Sequence, residues 1–300
     1  MFESPQAHAS ARAAEPPWTI RFAPVSQTVV VTGASSGIGE ACARVLAARG
    51  LRVLAGVRKD EDAERAGGLH ERIEPVKLDV TDESSITAAV QQLGVAPLDG
   101  LVNNAGISVS GPLEFVPLDE WRRQLEVNVI GQVAVTQAFL PALRRAKGRI
   151  VNISSVGGRV AVPLLSPYNA SKFAIEGLSD SLRRELRPLG VQVALVEPGA
   201  IATEIWRKGT ATAADLLADA PPEAVEVYGP TIAAIRAQAG EATDRAIPPE
   251  EVAKAVEHAL TAPKPKTRYV VGSDAKQRIL ASALLPDRTF DALMARALKL

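Results

Sequence analysis

Tyr168 and Lys172 are the two residues of this sequence whose types and spacing most directly suggest chemistry. They stand four positions apart, so in a helix their side chains share one face. A lysine ammonium beside a phenol stabilises the phenolate. The pKa of a tyrosine is ordinarily near ~10, and it must fall by about 3 for the tyrosine to exchange protons near neutral pH. The pair suggests proton transfer to or from an alcohol or carbonyl oxygen. Taken alone, such a pair is more often two surface neighbours.

The sequence around the pair predicts a helix. Ser166 and Pro167 open it, and Pro188 and Gly190 end it. Gly177 interrupts the pattern without ending it. The apolar side of this helix consists of Phe173, Ile175, Leu178, Leu182 and Leu186.

Short apolar runs and helical patterns alternate along the chain. Such alternation predicts parallel strands joined by right-handed crossovers, with helices on both faces. We therefore predict an α/β fold, a single doubly wound domain over residues 27–300 with a mostly parallel sheet of about seven strands. Residues 1–26, rich in Ala, Pro and Ser, are expected to form a flexible arm. Strands are predicted at 28–31, 51–57, 75–78, 98–102, 149–153, 191–196 and 268–271, and helices at 83–93, 118–146 and 249–261.

Composition narrows the class of function. The chain has 34 basic and 34 acidic residues, which does not favour a nucleic-acid surface. Cys42 is the sole cysteine and is expected to be a small buried residue, and the three histidines lack metal-ligand spacing. No run approaches the ~20 apolar residues of a membrane span, and no signal peptide is recognisable. We expect a cytoplasmic protein without a metal.

A glycine-rich stretch follows the first predicted strand. In doubly wound sheets, ligands bind at the carboxyl ends of the strands. Gly33, Gly37 and Gly39 join this strand end to a helix. Glycine allows the backbone to approach a pyrophosphate, and a helix N-terminus favours the anion. The stretch predicts dinucleotide binding, with a tight strand-to-helix connection as the alternative.

The end of the second predicted strand bears on the choice of dinucleotide. Arg58 and Lys59 stand where NAD sites often carry a carboxylate, and a guanidinium matches the geometry of a 2′-phosphate. Asp60 and Glu61 follow closely and weaken the inference, and a solvated basic loop is the alternative. The sequence favours NADP(H) over NAD(H).

Three further strand ends carry polar residues. Asp79 could accept a hydrogen bond from an adenine amino group, although a helix cap is the alternative and Asp82 is the better cap. The stretch Asn103-Asn104-Ala105-Gly106 could tie strand ends together and leave room for a flat ligand. Ser155 could hold a substrate oxygen while the Tyr168 hydroxyl moves its proton. Plain turns are the alternative for the last two.

Together these pieces resemble the short-chain dehydrogenase/reductase family in their order and spacing over residues 28–205. The resemblance implies a Rossmann-like sheet, a nicotinamide cofactor, and hydride transfer between the nicotinamide ring and a substrate carbon. It rests on Thr32-Gly33-x-x-x-Gly37-Ile38-Gly39, Asp79, Asn103-Asn104-Ala105-Gly106, Asn128, Ser155, Tyr168-x-x-x-Lys172 and Pro198-Gly199.

The resemblance also implies a role for each matching residue. Tyr168 is then the acid/base, and Ser155 orients the reacting oxygen. Lys172 binds the nicotinamide ribose and lowers the pKa of the tyrosine. Asn128 helps hold a water, and Thr203 contacts the carboxamide. The implied cofactor contacts are Gly33, Ser35, Ser36, Gly37, Ile38, Gly39, Arg58, Asp79, Val80, Asn104, Ala105, Gly106, Tyr168, Lys172, Pro198, Gly199, Ile201 and Thr203.

Residues 203–246 fall where this family places a substrate-covering loop. The apolar residues there and before the Tyr168 helix favour a lipophilic substrate, with core or subunit interface as alternatives. Residues 268–276 and 284–288 resemble the tail of members related to retinol and 17β-hydroxysteroid dehydrogenases. We expect the amphipathic extension 274–300 to pack on the core, with membrane or subunit contact as alternatives. Candidate lining residues are Val160, Val162, Pro163, Leu164, Leu165, Ile205, Trp206, Leu216, Leu217 and Tyr228.

The sequence thus predicts an NADP(H)-dependent oxidoreductase that interconverts a small lipophilic alcohol and its ketone or aldehyde. A 3-oxoacyl-thioester reductase is the alternative, disfavoured by the lack of an evident basic patch for a carrier protein. A non-catalytic cofactor-binding regulator is a remote alternative, since it would predict a damaged catalytic set. By the resemblance, the helix at 120–146 and the Tyr168 helix form the interface of a homodimer or homotetramer.

Overall fold

Seven strands form one all-parallel sheet in the order β3-β2-β1-β4-β5-β6-β7. The computed structural model describes residues 27–205 and 221–298, so the predicted arm at 1–26 lies outside the described residues. The predicted fold class, a doubly wound α/β sheet of about seven strands, is confirmed. The strands are β1 Thr28–Val31, β2 Arg52–Val57, β3 Ile73–Lys77, β4 Gly100–Asn103, β5 Arg149–Ile153, β6 Gln192–Pro198 and β7 Arg268–Val271.

Helices cover both faces of the sheet. A π-helical segment, Glu126–Ile130, joins α4 to α5 within the long helical stretch predicted from the sequence. The helices are α1 Gly37–Ala48, α2 Asp60–Gly67, α3 Glu83–Leu93, α4 Leu118–Leu125, α5 Gly131–Ala146, α6 Ser166–Leu186, α7 Pro222–Asp244, α8 Pro249–Thr261, α9 Ser273–Leu284 and α10 Asp287–Leu298.

Both faces of β1 are covered, which explains why its sequence is a continuous apolar run. Successive side chains of a strand point to opposite faces. Val29 and Val31 pack with α1 and α8 on one face, whereas Val30 packs with α3 and α5 on the other. A parallel strand covered on both sides therefore lacks polar alternation. Cys42 of α1 is also buried there, as expected, and its burial raises the pKa of the thiol to about 12.

The order of the strands fixes where a ligand can bind. From β1 the chain winds outward through β2 to β3, then crosses back to place β4 on the other side of β1. The connections leaving β1 and β4 therefore diverge at their carboxyl ends. This divergence opens a crevice between them, the usual place for a ligand in such sheets.

Sequence patterning misplaced some element ends. The predicted strand at 75–78 is β3, which extends from Ile73 to Lys77, because pairing with β2 and not the apolar run sets its length. Pro75 is tolerated because β3 is an edge strand. The helix α2 was missed, since Ala66 is its one buried residue and leaves no apolar period. Predicted strands at 51–57, 98–102 and 191–196 shift by one or two residues at one or both ends.

The expectation that residues 274–300 pack on the core holds for only part of the described stretch, in which Ala275 and Leu298 are buried. Leu280, Leu284 and Leu293 are 60%, 72% and 49% exposed. The other apolar residues of the pattern are partly buried, namely Ile279, Leu285, Phe290 and Met294. The amphipathic helices α9 and α10 thus leave much of their apolar side in solvent. Within the described ranges, no helix has the length and apolar content to cross a bilayer.

Candidate functional site

A cleft of roughly 420 Å³ opens at the carboxyl ends of the central strands. Residues from the ends of β1 to β6 and from the start of α6 line it. Of the predicted catalytic and cofactor-binding residues, all but Gly39 and Asn128 are among the described residues that line this cleft. The fold therefore gathers residues from positions 33 to 203 into one site.

The glycine-rich turn between β1 and α1 needs glycine for two separate reasons. Gly33 and Gly37 have φ angles of +64° and +58°, which side-chain-bearing residues rarely adopt. Gly39 lies behind the turn against the carbonyl of Gly33, so it permits close packing and does not line the cleft. Ser36 stands at the N-cap of α1 but makes no side-chain capping bond. The first N–H groups of α1 therefore suit an anionic ligand, which fits a dinucleotide pyrophosphate.

Thr32 and Asn104 tie the ends of β1 and β4 together, as the sequence predicts for the asparagine. The Thr32 hydroxyl accepts hydrogen bonds from the backbone N–H groups of Asn104 (2.9 Å) and Ala105 (3.0 Å). The Asn104 side-chain amide donates to the carbonyls of Thr32 (2.9 Å) and Gly33 (3.1 Å). These bonds fix the floor of the cleft.

A buried chain of polar side chains runs beneath the cleft between α5 and α6. Asn103 donates from Nδ2 to Thr136 Oγ1 and to Asn152 Oδ1, both at 2.9 Å. Asn152 in turn donates to Ser179 Oγ at 2.8 Å. Asn103 ends β4 and Asn152 lies in β5. This series of hydrogen bonds therefore fixes both strands to α6, the helix that carries Tyr168. Sequence analysis missed Asn152, although an amide inside an apolar strand is a visible signal.

Asn128 lies in the π-helical segment and is fully buried. Its Oδ1 accepts from the Ile107 N–H (2.9 Å), and its Nδ2 donates to the Ile107 carbonyl (3.0 Å) and to Ser171 Oγ (3.1 Å). Gln124, which the sequence did not single out, donates to the same carbonyl at 3.0 Å and accepts from the Val109 N–H at 2.6 Å. The two amides hold the cleft wall against α6.

Tyr168, Ser155 and Lys172 meet at one end of the cleft, and the predicted helix is confirmed as α6. Tyr168 is 5% exposed, and its hydroxyl is hydrogen-bonded to the Ser155 side chain. The Ser155 oxygen also accepts from the Gly157 N–H at 3.0 Å. Lys172 Nζ donates to the Ile153 carbonyl at 2.9 Å and lies 5.8 Å from the centre of the tyrosine ring. The grouping can hold an oxygen and exchange its proton.

Burial dominates the electrostatics of this grouping. It raises the pKa of Tyr168, and the hydrogen bond with Ser155 acts in the opposite direction. It lowers the pKa of Lys172 to about 8, opposed by the negative charge of Glu176. Desolvation penalises the charged form of each group, and therefore both effects disfavour a phenolate beside an ammonium.

The opposite end of the cleft carries the residues predicted for the adenosine half of a dinucleotide. Asp79 lines the cleft and accepts from the N–H and hydroxyl of Thr81 at 3.0 and 2.8 Å. Asp82 caps α3 by accepting from the Ser84 N–H at 2.9 Å, as predicted. Arg58 is exposed and lines the cleft after β2.

The predicted substrate-lining residues divide between two places. Ile205 lines the main cleft. Val162, Pro163, Leu164 and Tyr228 instead line a separate surface groove of about 490 Å³ that is largely apolar. Val160 is buried and Leu165 is partly buried. Trp206, Leu216 and Leu217 lie outside the described residues.

A cluster of charges, also missed in the sequence, lies beside α6. Arg268 of β7 pairs with Glu176 (3.0 Å), Asp180 (2.9 Å) and the fully buried Glu197 (3.1 Å). Arg159 pairs with the same Glu197 oxygen at 3.4 Å. Burial raises the pKa of Glu197, whereas hydrogen bonds from arginines lower the pKa of Asp180 to about 2. The cluster links α6 to β6 and β7.

Fold and cleft together define a Rossmann-like nucleotide-binding protein. The family model for short chain dehydrogenase matches residues 27–214. NADPH-dependent 3-dehydrocapnine reductase of Ornithobacterium rhinotracheale is 39% identical over 280 residues, 90% of this chain and 96% of that protein. Human retinol dehydrogenase 16 is 40% identical over 276 residues, 89% of this chain and 87% of that protein.

Solved structures agree with these relatives. A short chain dehydrogenase/reductase from Burkholderia phymatum, solved in complex with NAD, superposes with a TM-score of 0.73 at 25% identity, covering 89% of this chain and 95% of that one. The chain belongs to the short-chain dehydrogenase family. It is an oxidoreductase that acts on CH–OH groups.

Proposed function

We propose that this protein is an NADP(H)-dependent oxidoreductase that interconverts a lipophilic primary or secondary alcohol and its aldehyde or ketone. The observation that carries the proposal is the hydrogen-bonded Tyr168 and Ser155 pair beside Lys172, at one end of a cleft suited to a dinucleotide. No other pair of described residues in that cleft joins a phenol to a buried lysine.

The protein's own residues would position the substrate and move its proton. Ser155 holds the reacting oxygen, and Tyr168 gives it a proton in reduction or takes one in oxidation. Lys172 holds the nicotinamide ribose and contributes positive charge near the phenol. When bound, the nicotinamide cofactor supplies or accepts the hydride. Asn128 keeps the wall between Ile107 and α6 in place.

The preference for NADP(H) rests on Arg58. Its guanidinium lines the cleft beyond β2, on the side that would hold the adenosine ribose. A planar guanidinium binds a phosphate in two-point fashion, whereas an NAD site usually offers a carboxylate to the ribose hydroxyls. The 3-dehydrocapnine reductase relative is named NADPH-dependent. The Burkholderia phymatum structure contains NAD, so the family accommodates both cofactors.

A lipophilic substrate is supported by the retinol dehydrogenase relatives and by the apolar side chains near the site. Of the predicted substrate residues, Ile205 lines the cleft itself, whereas Leu164 lines the separate apolar groove. The described residues 203–205 of the predicted substrate loop also line the cleft. A cytoplasmic location stays a prediction.

The test is a spectrophotometric assay at 340 nm with NADPH and, separately, NADH. The substrates are steroid ketones, retinal, medium-chain ketones and an acetoacetyl thioester. We expect NADPH oxidation with a hydrophobic ketone or aldehyde. Tyr168→Phe should lower kcat by about 10²–10⁴-fold, because the general acid is lost, while NADPH binding measured by fluorescence is retained.

Other outcomes would contradict the proposal in distinct ways. Turnover of the thioester alone would make the protein a 3-oxoacyl-thioester reductase. Full activity of Tyr168→Phe would remove Tyr168 from its role. NADPH binding without turnover of any substrate would favour a cofactor-binding regulator.

A further inference from the structure

Arg123 lines the main cleft, although no feature of the sequence singled it out. It lies on α4, four positions before Val127, which also lines the cleft, and eight before Gly131. Gly131 packs so closely on Val80 that a Cβ atom there would lie 2.7 Å from Val80 Cγ2. This helical face therefore runs from Val80 along the cleft wall. The adjoining face carries Gln124 and Asn128, which donate to Ser171 of α6, so the face with Arg123 is turned toward the Val80 side of the cleft.

The carboxylate of Glu120 binds one edge of the Arg123 guanidinium. Nη2 donates to Glu120 Oε2 at 2.5 Å, and Nε donates to the two oxygens of the same carboxylate at 3.1 and 3.2 Å. The arginine side chain is 46% exposed and that of Glu120 is 24% exposed. The Glu120 carboxylate binds only the edge of the guanidinium. The two planar faces of the guanidinium therefore stay available to another flat group.

We infer that Arg123 binds the adenine base of the dinucleotide by stacking a guanidinium face on it, with Glu120 fixing the orientation of that plane. The inference rests on the proposed function, since it requires a nicotinamide dinucleotide in the cleft. Guanidinium groups stack on flat π systems and carry a favourable electrostatic attraction to their faces. Asp79 offers the base a hydrogen-bond acceptor, and Val80 and Val127 offer apolar contact.

This assignment separates Arg123 from Arg58. A 2′-phosphate is present in NADPH and absent from NADH, so an arginine that binds the phosphate affects the two cofactors differently. Adenine is common to both. An arginine that stacks on the base must therefore affect NADPH and NADH by the same factor.

The experiment measures dissociation constants for NADPH and NADH from the rise in nicotinamide fluorescence on binding. The variants are Arg123→Ala and Arg123→Lys in the full chain. Arg122→Ala is the matched control, because Arg122 forms a similar ion pair on the same helix, with Asp119 at 2.7 Å, but is 71% exposed and does not line the cleft. We expect Arg123→Ala to raise both dissociation constants about fivefold. Arg122→Ala should leave them unchanged.

Arg123→Lys distinguishes stacking from simple charge. Lysine keeps the positive charge but lacks the plane, so we expect it to bind both cofactors less tightly than the wild type. Full affinity in this variant, or weakening for NADPH alone, would mean a phosphate contact and would overturn the assignment. Unchanged affinity in Arg123→Ala would also overturn it. If the wild-type protein bound neither cofactor, the proposed function itself would fail, which is a different result.

Discussion

Tyr168 is placed for proton transfer, but burial opposes formation of its phenolate more than its protein neighbours favour it. Burial raises the pKa of the phenol, and the lysine beside it is held near a pKa of about 8 by the same burial. At neutral pH Lys172 is mostly protonated, and its charge favours the phenolate. An oxidised nicotinamide ring would bring a second positive charge to the site. Acid/base function of Tyr168 in the oxidation direction therefore depends on cofactor binding as well as on Lys172.

Arg58 carries the predicted choice between NADPH and NADH. We expect Arg58→Ala to weaken NADPH binding at least tenfold and to leave NADH binding within about twofold, because a charge-assisted bond to a phosphate is worth roughly 1.5–3 kcal/mol. Nicotinamide fluorescence titration of both cofactors measures the effect. Lys59→Ala is a suitable control, since Lys59 follows directly but pairs with Glu61 at 3.1 Å in solvent. Equal weakening of both cofactors would leave Arg58 as an ordinary loop cation.

The sequence identifies some functional residues of the site and gives no indication of others. Tyr168, Lys172 and Ser155 could be found because fixed spacings place them on one helix or at one strand end. Gln124 and Asn152 could not be assigned a partner, because the groups that they bind come from elsewhere in the chain. Arg123 was equally hidden, since a cation on an exposed helix usually has no ligand.

Among the elements, α6 depends on the charge cluster that links it to β6 and β7. Arg268 faces three carboxylates at 2.9–3.1 Å. We predict that Arg268→Ala lowers the free energy of unfolding by about 3 kcal/mol, because it leaves Glu197 and Glu176 buried with less compensation. Urea unfolding followed by circular dichroism measures this.

The control for that prediction is Arg184→Ala. Arg184 is 71% exposed and lies 3.9 Å from Asp180 of the same cluster, so its loss should cost less than about 1 kcal/mol. Equal losses in the two variants would show that the buried position of the cluster contributes nothing special.

The elements whose ends the sequence predicts correctly have a clear apolar pattern that is buried, or in β7 half-buried. The ends of β1, β5, β7, α3 and α8 agree with prediction because both the pattern and its flanking turns are clear. The helix α2 failed for lack of such a pattern. The packing of the amphipathic helices α9 and α10 was predicted only in part, because an apolar stripe predicts a helix but does not say what covers it. Leu284, 72% exposed, shows the gap.

At the scale of the whole molecule, alternation of strands and helices was enough to predict the sheet, since few topologies satisfy right-handed crossovers. The same rule puts all the predicted strand-end motifs at one edge. What alternation cannot supply is the assembly of chains, which depends on surface residues. Exposed apolar side chains on the described helices are the relevant observation here.

We predict a homo-oligomer whose interface includes α6 and the neighbouring π-helical segment, where Phe173 is 46% and Ile130 is 52% exposed. Size-exclusion chromatography with light scattering at micromolar concentration should give at least twice the chain mass of 31.6 kDa. Phe173→Glu and Ile130→Glu should each shift the protein toward the monomer, because a buried unpaired carboxylate is costly.

Leu280→Glu is the control for this assembly, since Leu280 lies on α9 and is 60% exposed. It should leave the mass unchanged if the interface is on α6. Loss of assembly in Leu280→Glu alone would move the interface to the C-terminal helices. A wild-type species of one chain mass would refute the oligomer outright.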